Sequence, residues 1–465
     1  VVGRRNRHAT ARIFQIRECG HELFFIVDLS QTTDSLAGSM EANFIAACRR
    51  GALVCGVVVL FSVAFARAAE APSRDAAFHR AALLREAGKR IFSDRTYSAS
   101  GRQSCASCHD PRLRYNPPNA LDAQVGGADM HEKGFRAPPT LTYLNRVPPY
   151  SNHYYDSDEE GDESVDNGPT GGLTWDGRVN GGENQARIPL LAEFEMANTI
   201  GGVARAVRAA DYAHLLREAL GGTSLDADDA AFAAVVRALG AFEQDYDEFN
   251  PYTSKYDAYL TGRTKLSAAE TRGLELFNDP AKGNCAQCHL SQRTADGGAP
   301  ALSDYGLIAL GVPRNPNIAR NRDTGFHDLG ACGPERKDKA GDAQFCGLFR
   351  TPTLRNVALR KAFFHNGKFH DLRDVVDFYV TRDITPERWY AKNADGSVLV
   401  YDDLPAPYQV NLNRDVPFEG QRPGAKPRLD KREIDDVVAF MKTLTDGYLK
   451  ENPYRAERRV ATGSR

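Results

Sequence analysis

The chain of 465 residues contains C-x-x-C-H twice, in "SCASCHDPR" (104–112) and "NCAQCHLSQ" (284–292), and this repeat limits what it can fold around. Two thiols at i and i+3 lie close together on one helical turn, and each can add to a vinyl group of a haem. The histidine directly after them is then fixed beneath the iron as an axial ligand. Cys105 and Cys108 are therefore expected to hold one covalent c-type haem over His109, and Cys285 and Cys288 a second over His289. Structural zinc needs four ligands per site, and pooling the four cysteines would leave both histidines without a role. A thioredoxin-like redox pair is disfavoured because strand and helix patterns do not alternate along the chain.

Each motif follows a stretch with apolar residues at helical spacing, "AAFHRAALLREAGKRIFSD" and "LSAAETRGLELFNDPAKG". The second opens on Ser267 with Glu270 three residues later, a capping box. A closing helix is expected for each unit, over 228–246 and over 430–449, the latter with Ile434, Val437, Val438 and Met441 on one face. The pattern predicts a mainly α fold of two cytochrome c-like domains, 75–246 and 247–455, each with one covalent c-type haem. The long irregular loops between helices, rich in Gly, Pro and Asn, would wrap around the cofactors. The acidic run "DSDEEGDESVDNGPTGG" (156–172) reads as a solvated insertion, with a docking surface for a basic partner or a cation as the alternative.

The N-terminus reads as processing signals. Residues 1–39 look like an over-extended start ahead of Met40, and 40–68 like a secretory signal: two arginines, an apolar run, then Ala66-Arg67-Ala68 for cleavage. A retained anchor is the alternative, although the apolar run is short for a span. Cleavage predicts a periplasmic protein. Loss of residues 1–68 removes 8 basic and 5 acidic residues and leaves 51 against 56, a formal charge of −5 that argues against nucleic acid as a partner. Cys19, Cys48 and Cys55 leave with this segment. Cys332 and Cys346 either close a surface-loop disulfide or remain thiols; spacing decides neither.

Over about residues 75–450 the chain resembles the bacterial di-haem cytochrome c peroxidases, which include the MauG-like enzymes. Beyond the paired motifs, "TWDGRVNGGENQARIPLLAEFEMAN" (174–198), "FRTPTLRNVALRKAFFHNGKFHDL" (349–372) and the C-terminal helix carry the resemblance. The family sets a tryptophan between its haems, then a glutamine, a proline and a glutamate over the peroxide-binding iron. Trp175, Gln185, Pro189 and Glu195 follow in that order, 10, 4 and 6 residues apart. The usual N-P-x-E-M reads "AEFEM" here, so Glu193 stands at the proline position and Glu195 keeps the acid. By this resemblance Glu195 is the acid–base group that moves the peroxide proton. Gln185 would hydrogen-bond there, Pro189 would keep the sixth position dry, and Trp175 would relay electrons. On the residues alone, Glu195 reads rather as a surface acid, and core packing is the alternative for Trp175.

The resemblance also suggests the outer ligands. MauG-like members carry a tyrosine ligand at the second haem where this chain has Tyr379, in "DFY"; Tyr390 is the fallback, and Met441 reads as packing. An anionic phenolate there lowers the reduction potential. His131, in "ADMHEKGFRAPPTL", is either a gating ligand of the first haem or a surface histidine. A calcium ion is implied between the domains, yet its asparagine ligand is Ala137 here, leaving carbonyls around Arg360–Ala362. His365 reads as a partner for a haem propionate or for an interdomain hydrogen bond.

The implied activity is reduction of hydrogen peroxide to water at the N-terminal haem. Electrons would be relayed through the C-terminal haem from an external donor, a small cytochrome c or a cupredoxin. Two other classes stay open: an oxidase that modifies a side chain of a partner protein, and a non-catalytic di-haem electron carrier. A homodimer is also open.

Overall fold

The computed structural model describes residues 12–18, 21–27, 73–154 and 167–455. The expected signal segment, the three leading cysteines and most of the acidic run (155–166) lie outside them. Among the described residues no helix is long and apolar enough to cross a membrane. Contacts divide the chain between Ser73 and Arg74. In the first unit β1 (Arg12–Glu18) and β2 (His21–Val27) form an antiparallel hairpin with Arg12 opposite Val27.

The second unit is mainly helical. Its helices are α1 (Arg74–Ser93), α2 (Cys105–Cys108), α3 (Gly182–Leu191), α4 (Ile200–Ala209), α5 (Ala213–Leu220), α6 (Asp228–Glu243) and α7 (Tyr246–Phe249). After them come α8 (Lys255–Leu260), α9 (Ala268–Asn278), α10 (Leu372–Thr381), α11 (Pro386–Trp389) and α12 (Lys431–Lys442). The described sheet in this unit is two short antiparallel pairs, β3 (Val125–Gly126) with β4 (Glu132–Lys133) and β5 (Leu307–Ile308) with β6 (Phe349–Arg350).

Two helix pairs are built alike. The buried residues of α1, Leu84, Ala87, Gly88, Ile91 and Phe92, share one face at 3.6-residue periodicity and pack on α6. Helix α9 packs on α12 in the same manner. At both crossings a glycine admits the partner backbone. A Cβ on Gly88 would lie 2.0 Å from the Ala238 carbonyl oxygen, and one on Gly273 would lie 1.9 Å from that of Asp436. Four residues after each glycine comes a buried phenylalanine, and four after each contact another: Phe92 meets Phe242 at 5.5 Å and Phe277 meets Phe440 at 5.1 Å, both edge to face. Each pair anchors its own core, one spanning Leu84 to Phe249 and the other Tyr256 to Leu444.

Both closing helices stop short of the ends predicted for them. Helix α6 ends at Glu243 because the Asp245 carboxylate accepts from the backbone N–H of Asp247 (3.1 Å) and Glu248 (3.2 Å), capping α7. Helix α12 ends at Lys442, and Asp446 turns inward to accept from Tyr143 Oη (2.7 Å) and Asn356 Nδ2 (2.8 Å). Cys332 and Cys346 are joined as a disulfide with Cα atoms 4.8 Å apart, closing a loop over the first cavity described below.

Candidate active site: two cavities and a shared indole

Both C-x-x-C-H motifs end in the same local bond: the His109 N–H reaches the Cys105 carbonyl at 2.9 Å, and the His289 N–H that of Cys285 at 2.8 Å. All four thiols are unpaired. Burial raises the four thiols, those of Cys108, Cys285 and Cys288 to about 12, so they are protonated groups in an apolar setting. Burial likewise pushes both imidazoles down to about 4. Each Nδ1 faces a carbonyl oxygen, His109 that of Tyr115 at 3.3 Å and His289 that of Leu302 at 3.1 Å. A carbonyl only accepts, so Nδ1 carries the proton and Nε2 keeps a lone pair for a metal.

Cys105, Cys108 and His109 line the first cavity together with Gln185, Pro189 and Glu195. The spacing of Gln185 and Pro189 puts them one turn apart on α3. Pro189 has no N–H, so it cannot complete the i to i−4 bond to Gln185. The chain then reverses: the Glu195 and Ala197 N–H groups both donate to the Ala192 carbonyl at 3.0 Å. Burial pushes the Glu195 carboxyl up to about 7, with Arg178 opposing the rise and Glu335 adding to it. Glu243, also in this wall, is raised by burial to about 8.

Cys285, Cys288, His289 and Tyr379 line the second cavity. Helix α10 presents Leu372, Val375, Val376, Tyr379 and Val380 to it, the i, i+3, i+4, i+7, i+8 face. Burial raises the Tyr379 phenol, with the nearby thiols adding and Arg382 opposing. Met441 lines the same cavity from α12. Tyr390 does not line it; its hydroxyl donates to the Gly311 carbonyl at 2.6 Å.

Trp175 lines both cavities and is 8% exposed. It sits on a tight loop in which the Leu173 N–H reaches the Val179 carbonyl at 2.6 Å. Gly172, at φ +72°, approaches Gly177 so closely that a Cβ would lie 2.1 Å from its carbonyl oxygen. The indole N–H donates to the Ala137 carbonyl at 2.7 Å, and the Trp175 carbonyl accepts from the Arg350 N–H at 2.7 Å.

Covalent haem fits these cavities. Besides the thiols and imidazoles, the second cavity exposes the buried Nε2 of His365, which has no hydrogen-bond partner. The guanidinium groups of Arg350 and Arg360 also line it, and burial lowers each to about 10. Arg360 donates to neutral acceptors: Asn116 Oδ1 (3.3 Å), the Pro138 carbonyl (3.0 Å) and the Ala362 carbonyl (3.3 Å). Carboxylates of a bound cofactor would satisfy such cations. The carbonyls at the expected calcium position are already engaged as acceptors: those of Ala137, Pro138 and Ala362 accept from an indole and a guanidinium. Among the described residues no cluster of His, Cys, Asp or Glu suits a metal ion. His131 is exposed and lines neither cavity.

Sequence reasoning passed over Arg178, Glu243 and Glu335 in the first cavity and assigned no role to Arg350 in the second. Arg178 lies three residues after Trp175 and offered a local signal, since a charged residue in a tight loop has few places to go. Glu335 offered none, because a distant loop brings it in.

The profile of the di-haem cytochrome c peroxidase family matches residues 84–265. MauG of Paracoccus denitrificans, named a methylamine utilization protein, is 31% identical over 365 residues, covering 77% of this chain and 87% of that protein. Cytochrome c551 peroxidase of Nitrosomonas europaea is 24% identical over 365 residues, covering 78% and 80%. The crystal structure of the diheme peroxidase BthA from Burkholderia thailandensis superposes with a TM-score of 0.69 at 35% identity, covering 79% of this chain and 86% of that one. With the family profile matched, 31% identity to MauG over most of both chains and a shared fold, this chain belongs to the di-haem cytochrome c peroxidase family of oxidoreductases, in which MauG is also a member.

Proposed function

We propose that this protein is an exported, periplasmic peroxidase that reduces hydrogen peroxide to water at its first cavity, drawing electrons through the second from an external protein donor. The observation that carries this reading is Trp175, one indole in the walls of both cavities. Residues 75–246 and 247–455 are the two cytochrome c-like domains in this reading, each with one c-type haem. Cys105, Cys108 and His109 would hold the first haem, and Cys285, Cys288, His289 and Tyr379 the second. When bound, the haems supply a Lewis-acidic iron for peroxide and a store for oxidising equivalents.

The remaining work belongs to the chain. Glu195, with its pKa near 7, accepts a proton from the near oxygen of peroxide and returns it to the far oxygen, which leaves as water. Gln185 orients the peroxide by hydrogen bonding. Pro189 keeps the adjoining wall apolar and free of a competing donor. Trp175 passes electrons between the cavities, its N–H pinned on Ala137 so that the ring plane stays fixed.

The protein-modifying oxidase is the second reading, and Tyr379 favours it, since a phenolate donor stabilises oxidised iron. Peroxide added to the as-isolated ferric protein, followed by optical and EPR spectroscopy, tests both. Rapid turnover with a reduced small cytochrome c supports the peroxidase. A long-lived oxidised species that ignores this donor supports the modifying oxidase, and no reaction at all rejects both.

A further inference from the structure

The first cavity holds an acid for which the mechanism above has no use. Glu335 lies in its wall, on the loop closed by the Cys332–Cys346 disulfide. The next residue anchors that loop. Arg336 Nη1 donates to the Asp176 carbonyl at 2.9 Å, and its guanidinium stacks 3.7 Å from the Tyr150 ring centroid. Glu335 is thereby held against Arg178, whose Nη2 lies 3.7 Å from Glu335 Oε2. Arg178 is fixed in turn from its other terminal nitrogen, which donates to both Asp176 oxygens at 3.0 and 2.8 Å.

A buried acid that shuttles protons must be resupplied from solvent, and a proton does not cross an apolar wall unaided. The Glu335 side chain is 27% exposed and lines the cavity, and it follows directly on Pro334, which is exposed at the surface. The charged groups felt by Glu195 are Arg178 and Glu335, while Cys105 and Cys108 feel Glu195 in turn and Glu243 stands near Cys105. We propose that Glu335, held by the disulfide-closed loop and by Arg178, is the positioning residue through which protons pass between solvent and Glu195. The inference rests on the reading of Glu195 as the acid–base group. A solvent proton binds the Glu335 carboxylate and is handed inward through water to Glu195. Arg178 only orients the pair. Each peroxide takes up two protons by this route and two electrons from the donor, giving two waters, and both carboxylates return to their starting state.

The test uses the haem-loaded protein as wild type, Glu335→Gln and Glu335→Asp. Glu335→Gln is expected to lower kcat for peroxide about tenfold above pH 7 with KM unchanged, and Glu335→Asp to restore most of the loss. Wild-type kcat and pH profile in Glu335→Gln would overturn the proposal. A second readout needs no turnover: the infrared carboxylic acid band that disappears in Glu195→Gln. Its midpoint is expected near 7 in the wild type and lower in Glu335→Gln, because a like charge that raises Glu195 has gone. An unmoved midpoint also overturns the proposal. If the wild type does not consume peroxide, the peroxidase reading falls by itself, and the infrared midpoint decides the coupling of Glu335 to Glu195.

Discussion

Glu195 and Glu243 are both carboxyls lifted by burial, and pH separates their consequences. In the proposed mechanism Glu195 works as a base only when ionised, and burial holds its pKa near 7. The rate of peroxide consumption should therefore fall as pH drops below about 7, which a stopped-flow pH series measures. Glu195→Gln should slow the reaction by roughly 10²–10⁴-fold while mass spectrometry still finds both haems attached. Turnover at the wild-type rate would remove Glu195 from the mechanism. Glu243 bears on stability instead. Its pKa is raised from 4.5 to about 8, so the folded state binds a proton that the unfolded state has released, and stability falls as pH rises through that window. Glu243→Gln should raise the melting temperature at pH 8.5 and change it little at pH 4. A gain of equal size at both would show that its charge is not what costs stability.

At the scale of elements, the two helix pairs rest on backbone contact at glycine. Gly88→Ala and Gly273→Ala each put a methyl group about 2 Å from a carbonyl oxygen, so α1 must part from α6, or α9 from α12. Overpacking of this kind costs about 1–3 kcal/mol or more, to be read as a lowered denaturation midpoint. Helix α10 owes its role to its period, which sets Tyr379 on the cavity face with Leu372, Val375 and Val376. Under the proposed ligation, Tyr379→Phe should keep the haem thioethers and raise the potential of the second centre, because the proposed anionic donor is lost. Potentiometric titration tests this, and an unchanged potential would exclude the phenolate.

At the scale of the whole molecule, buried ion pairs join distant stretches around Trp175. Arg136 donates from Nη1 to Asp176 (2.6 Å) and from Nε and Nη2 to Asp328 (2.7 Å each). Both carboxylates are almost fully buried, so Arg136→Ala would leave Asp328 with the Gly330 N–H and no cation among the described residues, and Asp176 with Arg178 alone of its two. The expected loss is about 3–5 kcal/mol, with disturbed electron transfer between the haems, since Asp176 adjoins the indole. Denaturation and flash-reduction kinetics read the two effects separately. Gln185, Pro189 and Tyr379 stood out only through the family resemblance, whereas what the sequence determined by itself was carried by local spacing: the two C-x-x-C-H motifs and the helices beside them. Spacing suffices there because a helical turn converts a difference of three or four residues directly into adjacency. Only the tertiary structure decided that one indole lines two cavities, that Arg360 occupies carbonyls near the expected calcium position, and that Glu335 joins the cavity wall that holds Glu195. Those contacts join loops far apart in the chain, and no periodic pattern encodes which loop folds over which.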